Sequence, residues 1–378
     1  MDRWSDAFAE LQERIAGRFA RVEVRERVRR YLVGLLGRAE RKNSWQLAEA
    51  IGEASPRGVQ RLLNGASWDA GGVRDDLRAY VVDHLGDAAS GVLILDDTGF
   101  VKKGEQSCGV SRQYTGTVGD TANAQVGVFL AYASVHGAAF IDRALYLPHA
   151  WTDDAERRRT AGVPTTIQFA TKLRLAQDML ARAGAAGVPA AWVLADAGYG
   201  RSHRFRRWLE DHGWAYALMV PKTHAVWYRG RRQTAAKLAG RLTEDDWTQP
   251  PSGAGPYNVQ RQEWACLPLS EACRAGMRRW LLVRRSVEEP DELAYYLVYG
   301  PEVIPTTDLV RRCGQRWQIE ECFAQAKGEV GLDQYEVRTW TAWHRFVTLC
   351  LLAHAYLVVM RQAARGEEDA QKGDLRRT

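Results

Sequence analysis

The chain has no CxxC pair, no Cys/His spacing suited to zinc, no apolar run long enough to span a bilayer, no internal repeat and no low-complexity block. Each absence removes a class of protein. The six cysteines (Cys108, Cys266, Cys273, Cys313, Cys322, Cys350) are expected as reduced thiols, without a structural zinc. The opening MDRWSDAFAE lacks the charged-then-apolar order of a secretory signal. The longest apolar stretch, Phe346 to Met360, is shorter than the roughly 20 residues of a spanning helix and contains His354. A cytoplasmic protein with no membrane partner is expected. With 378 residues, 46% of them hydrophobic, the chain can build two or three domains around a sizeable core, which excludes a disordered tail.

What is present is positive charge, unevenly placed. The whole chain carries a net charge of +6, yet Arg14 to Lys42 alone hold ten Arg or Lys against three Glu. That concentration suits a polyanion such as nucleic acid, because each neutralised phosphate releases counterions. A solvated helix face accounts for it equally well.

Residues 1–88 read as a helical domain. SWQLAEAIGEA opens at Ser44, and SPRGVQRLLNG has Ser55 as N-cap, Pro56 at the first helical position and Gly65 as stop. Two short helices back to back can form a helix-turn-helix offering Arg57 and Arg61 to DNA, or simply pack through Val59, Leu62 and Leu63. At Gly91 the pattern changes: GVLILDDTG is an apolar run with acids at its end, as in a strand buried on both faces. A hairpin around His136 and Gly137 follows, then a helix with Phe169, Leu173, Ala176 and Leu180 on one stripe and Gly184 ending it. AAWVLADAG is a fourth strand, SHRFRRWLEDHG a helix and AYALMVPK a fifth strand, in the order βββαβαβ. Residues 223–305 read as a β-rich insertion punctuated by Pro250, Pro251, Pro256, Pro290 and Pro301. Residues 306–364 read as helices, and 365–378 as a charged, flexible tail.

Chemistry gathers at three acids. Strands ending in Asp97 and Asp196 would bring two carboxylates together if they are neighbours, although alternation lets only one of Asp96 and Asp97 face a given side. On the later helix Cys313, Arg316, Glu320 and Lys327 follow at steps of three, four and seven, one stripe at about 100° per residue. Glu320 between Arg316 and Lys327 is a candidate third ligand. Arg316 to Glu320 is also the spacing of a solvated ion pair.

This order of strands, with an Asp followed by Thr98 in the first, an Asp ending the fourth and a Glu on a later helix, resembles the DDE transposases and their RNase H-like core. One group of bacterial insertion-sequence transposases has a Tyr, Arg, Glu, Lys signature with two, three and six intervening residues. Here Arg316, Glu320 and Lys327 keep it, with Cys313 at the place of the Tyr. DDTGFVKKGEQSCGVSRQYTG, ADAGYG, EECFAQAKGEVGLDQYEVRTW and WHRFVTLCLLAHAYL resemble the insertion-sequence 701 branch of that group. The resemblance implies an α/β fold, an RNase H-like mixed-sheet core (89–222 and 306–364) interrupted by the β-rich insertion, with an N-terminal helical DNA-binding domain. It implies Asp97, rather than Asp96, with Asp196 and Glu320 as catalytic ligands of two Mg2+ ions, for which Mn2+ can substitute.

Such a site hydrolyses a phosphodiester and then attacks another with the freed 3′-hydroxyl. Two hard cations about 4 Å apart would activate the nucleophile and the leaving oxygen. Arg316 and Lys327 suit the remaining phosphate charge. Related transposases also use an aromatic of the insertion to stack on a flipped base; Trp264 and Trp280 are the candidates, Trp280 foremost, with a core role for either as the alternative. Lys102, Lys103 and Arg112 are DNA-backbone contacts or exposed loop charges. The implied function is a transposase that binds its element's terminal inverted repeats and cuts and joins double-stranded DNA, acting as a homodimer on DNA at the bacterial nucleoid. The alternatives are a domesticated DNA-binding derivative that does not cut, another RNase H-like metal-dependent nuclease, and a metal phosphatase, which leaves the basic segment unexplained.

Overall fold

A computed structural model describes residues 2–249 and 262–375. Pro250, Pro251 and Pro256 lie outside the described residues. In chain order the elements are α1 (Asp2–Ala16), α2 (Val22–Leu36), α3 (Ser44–Ala50), α4 (Arg57–Asn64), α5 (Ala70–Leu85), β1 (Val92–Val101), β2 (Ser111–Thr115), β3 (Asp120–Ser134), β4 (Gly137–Leu145), α6 (His149–Thr152), α7 (Ala155–Thr160) and α8 (Lys172–Ala185). There follow β5 (Trp192–Ala195), α9 (Ala197–Gly200), α10 (His203–Asp211), β6 (Ala215–Val220), β7 (Ala225–Tyr228), β8 (Arg231–Thr234), α11 (Ala235–Ala239), β9 (Gln262–Pro268), β10 (Met277–Ser286) and β11 (Leu293–Pro301). Three helices close the chain: α12 (Thr306–Gln315), α13 (Gln318–Val330) and α14 (Trp340–Leu375).

Contacts group these elements into two compact units. The first comprises Met1–Asp87, Asp97–Val188 and Ile319–Thr378; the second comprises Ala88–Asp96 and Pro189–Gln318. The N-terminal helices, read from sequence as a separate domain, therefore cluster with the first unit, because α5 packs on β4 and α14.

In the second unit the start of β1, β5 and β6 are parallel neighbours. Antiparallel β11, β10 and β9 continue from β6. The strands expected as an insertion thus extend the same sheet, making it mixed. Arg312 of α12, 7% exposed, donates to the carbonyls of Ser90 and Ala89 at 2.7 Å, tying that helix to the approach of β1.

In the first unit, β2, β3 and β4 form an antiparallel meander with a register shift at Leu130/Ala131. The hairpin at His136 and Gly137 is as expected, whereas β2 is a strand that the apolar pattern did not announce: it is short and alternates half-buried with exposed residues before a buried Thr115. Phe129, Phe140 and Phe323 pack ring against ring in the core. The helix α8 begins at Lys172, so Phe169 lies before it and stacks on His149 at 3.7 Å.

Two expectations about the C-terminus are corrected. The apolar stretch is part of a helix of 36 residues, of which Trp340–Glu367 is long and apolar enough by length and composition to cross a membrane, but 78% of its most apolar 18 residues is buried within the fold, as in a core helix. The segment from Arg365, read as a flexible tail, continues α14 to Leu375.

Candidate active site

In the second unit the parallel register ends with Leu95 opposite Ala195, so Asp96 and Asp196 are the next residues of two adjacent strands. The strand β5 stops there because Asp196 turns into a cap: its Oδ1 accepts from the N–H of Gly198 at 2.9 Å and of Tyr199 at 3.4 Å. This is the ordinary use of Asp at a helix start. By contrast, β1 does not end at its acids; it runs through them to Val101. Strand alternation sends Asp96 and Asp97 to opposite faces. Each half-buried carboxylate has its own cation: Arg316 stands 3.9 Å from Asp96, and the Lys172 ammonium donates to Asp97 Oδ2 at 2.7 Å.

Lys172 was not among the candidates read from the sequence, although a signal existed. It occupies the first position of α8, after the N-cap Thr171. A cation there opposes the helix dipole and calls for a compensating carboxylate. Because the pair is only partly exposed, and if Asp97 holds the cation that the resemblance implies, Lys172→Met is expected to tighten Mn2+ binding to the DNA-free protein by roughly fivefold, the equivalent of about 1 kcal/mol for such a pair. Isothermal titration calorimetry checks this; an unchanged affinity would show that the ammonium does not compete at Asp97.

The single helical stripe through Cys313, Arg316, Glu320 and Lys327 is corrected. The helices α12 and α13 are separate, joined by a turn at Arg316 and Trp317, whose N–H groups reach back three residues to Cys313 and Gly314 at 3.4 and 3.3 Å. Glu320 and Lys327 remain on one face of α13, seven residues and about 10 Å apart along its axis. Lys327 Nζ donates to Thr98 Oγ1 at 2.9 Å, so the helix delivers its lysine to the residue after Asp97. Asp97, Lys172, Thr98 and Lys327 are thereby linked within the first unit. In the second, Asp96 and Arg316 face each other and Asp196 follows the shared register.

Cys313, where the signature has Tyr, is 2% exposed, and burial pushes its thiol well above the ordinary range. A phenol reaches Arg316 from elsewhere: Tyr296 of β11 is hydrogen-bonded to it, and burial raises that hydroxyl while Arg284 and Arg316 pull it back. The sequence offered no sign of this, because Tyr296 comes from a strand 20 residues away.

Carboxylate oxygens are the donors a hard divalent cation takes, and Asp97 already holds a positive group. Among the described residues, no group of three or more His, Cys, Asp or Glu is gathered that could hold a metal ion by protein groups alone.

The remaining candidates divide. Arg57 and Arg61 are exposed on α4, whose opposite face buries Val59, Leu62 and Leu63. Lys103 and Arg112 are exposed, the latter on β2. Lys102 is tied inward: it donates to the Tyr335 carbonyl at 3.0 Å, lies 3.6 Å over the Tyr335 ring, and burial lowers it to about 8. As placed it is a structural cation rather than a surface contact. Trp280 and Trp264 are 6% and 1% exposed in paired strands, so both are core and neither offers a face for a base.

A family model described as DDE superfamily endonuclease matches residues 14–270, a span that ends before Glu320. The chain is also 24% identical over 307 residues to a protein of Microchaete diplosiphon named "Probable transposase for insertion sequence element IS701", covering 81% of this chain and 75% of that one.

Proposed function

Because the chain belongs to the DDE superfamily of endonucleases, we propose that it binds the terminal inverted repeats of its own insertion sequence, pairs two ends as a homodimer, and excises and joins them by metal-dependent strand cleavage and transfer. The observation that carries this reading is the β1/β5 register, which brings Asp96 level with Asp196 where the pairing of two adjacent parallel strands ends, one residue before Asp97. Such sheet edges are where α/β folds keep their chemistry.

Asp97, Asp196 and Glu320 are the residues that would hold Mg2+, with Mn2+ as substitute. When bound, the cations supply nucleophile activation and charge neutralisation at the leaving oxygen. Arg316 would grip a scissile or flanking phosphate with its planar fork, and Lys327 would add a point charge beside Thr98. Lys172 keeps Asp97 charge-balanced until DNA and metal arrive.

The helix α4 suits DNA reading. Arg57, Gln60 and Arg61 share its exposed face, and no hydrogen bond or ion pair engages either arginine side chain among the described residues. Replacing Arg57 and Arg61 by Ala is expected to weaken binding to end DNA. If each contacts one phosphate, the slope of log affinity against log salt becomes shallower by about 1.8. Fluorescence anisotropy across a salt series measures it, and an unaltered slope would remove α4 from the interface.

The direct test of the function is incubation with linear DNA carrying the flanks of the gene, with Mg2+ or Mn2+ and with chelator. Cuts at discrete positions that require metal are expected, and they would locate the terminal repeats. Discrete binding without cutting in any metal would instead favour a DNA-binding protein without cleavage. Action at DNA implies a nucleoid-associated, cytoplasmic protein.

A further inference from the structure

Between Lys222 and Thr243 the chain carries six cations (Lys222, Arg229, Arg231, Arg232, Lys237, Arg241) and no Asp or Glu, as many positive charges as the whole chain's net +6. This run folds as the β7–β8 hairpin and α11. Arg229 and Gly230 form the tip, both with positive φ, 48° and 73°. Two consecutive left-handed residues are the mark of a type I′ turn, whose twist matches that of the strands it joins.

The register sorts the side chains by face. Trp227 lies opposite Arg232, while Tyr228 lies opposite Arg231 and Val226 opposite Gln233. Val226 is buried, whereas Trp227 is 50% exposed and Arg232 is exposed beside it, without a ring contact or ion pair among the described residues. On the other face Tyr228, Arg229, Arg231 and Arg241 border a cavity of about 540 Å³ that also holds one acid, Asp246. The ribbon is held firmly: Trp227 N–H donates to Glu271 Oε1 at 3.2 Å, Arg229 N–H to Ser270 Oγ at 2.9 Å, and Ala235 N–H to the His224 carbonyl at 2.8 Å. An uncovered tryptophan beside arginines on both faces of the hairpin forms a positively charged surface that a polyanion would neutralise.

We propose that the β7–β8 hairpin is a second duplex-DNA contact, a two-stranded ribbon entering the major groove. The groove is about 12 Å wide and admits such a ribbon. Cations on both faces suit the two phosphate walls: Arg232 on one side, Arg231 and Arg241 on the other, Arg229 at the tip. Trp227 supplies apolar contact to base edges or sugars. This inference rests on the DNA-acting reading above and adds a surface that it did not assign.

The test uses the full-length protein and a labelled duplex of about 30 base pairs, with anisotropy read over a salt series. Arg229→Asn, Arg231→Ala and Arg232→Ala are combined; Asn tolerates the left-handed tip. The expected result is a loss of at least roughly tenfold in affinity and a salt slope shallower by up to about 2.7, with unchanged thermal melting. Lysines at positions 231 and 232 should restore most of the binding. Wild-type binding matched by the triple variant would overturn the hairpin's role while leaving the DNA reading intact. Absence of duplex binding by the wild type would overturn the DNA reading itself. A loss confined to a single-stranded probe, with the duplex unaffected, would overturn the groove assignment.

Discussion

Asp196→Asn is expected to leave DNA binding and folding intact while lowering strand cleavage about a thousandfold, the scale of several kcal/mol that a bound cation contributes to charge development. The folding half follows from the cap. Asp196 closes the start of α9 by accepting N–H bonds from Gly198 and Tyr199, and Asn caps as well as Asp. What Asn removes is the negative charge, the property a hard cation requires. Glu320→Gln makes the same separation on α13, losing at most about 1 kcal/mol of helix-dipole stabilisation in its first turn. Asp97→Asn frees Lys172 as well, with a small stability cost because that pair is partly exposed. Mapped cleavage of end DNA, beside anisotropy and thermal melting, decides the matter. Full cleavage by Asp196→Asn would exclude it as a ligand, and loss of binding in parallel would make its role structural.

Gly200→Ala should destabilise the protein by about 3 kcal/mol or more, lowering the melting temperature by about 6 °C. A Cβ built at Gly200 would sit 1.9 Å from the Met219 carbonyl oxygen and 3.1 Å from Leu218 Cβ. No flexible side chain can yield there: Met219 belongs to β6, paired on one side with β5 and on the other with Tyr296 of β11. Relief must come from lifting α9 off β6, and Asp196 caps that same short helix. Cleavage at a temperature where the variant is still folded should therefore fall by more than its stability explains. Calorimetry together with the cleavage assay measures both, and an unchanged melting temperature would mean that the contact relaxes freely.

Much of this was legible in the residues. Unbroken apolar runs announced β1, β5 and β6, because strands buried on both faces exclude polar residues. Capping residues announced α4 and α10 to within a residue. Short-range patterns failed where the deciding contact was distant. Helical periodicity alone carried the stripe from Cys313 to Lys327 across a turn that it does not register. The run of DDTGFV reads as a strand with a polar end, yet β1, paired with β3 and β5, continues through it to Val101, with Lys172 and Arg316 beside its acids.

The sequence by itself supplied the resemblance to the family, the acids, arginine and lysine proposed for its site, and the basic composition that suits DNA. These are properties of residue type and spacing, which survive without coordinates. Only the tertiary structure decided which of those residues are available. It buried Trp280 and drew Lys102 against Tyr335, and it left Trp227 exposed on an arginine-rich hairpin. Exposure depends on what packs opposite a side chain, and those neighbours come from parts of the chain that local pattern does not reach.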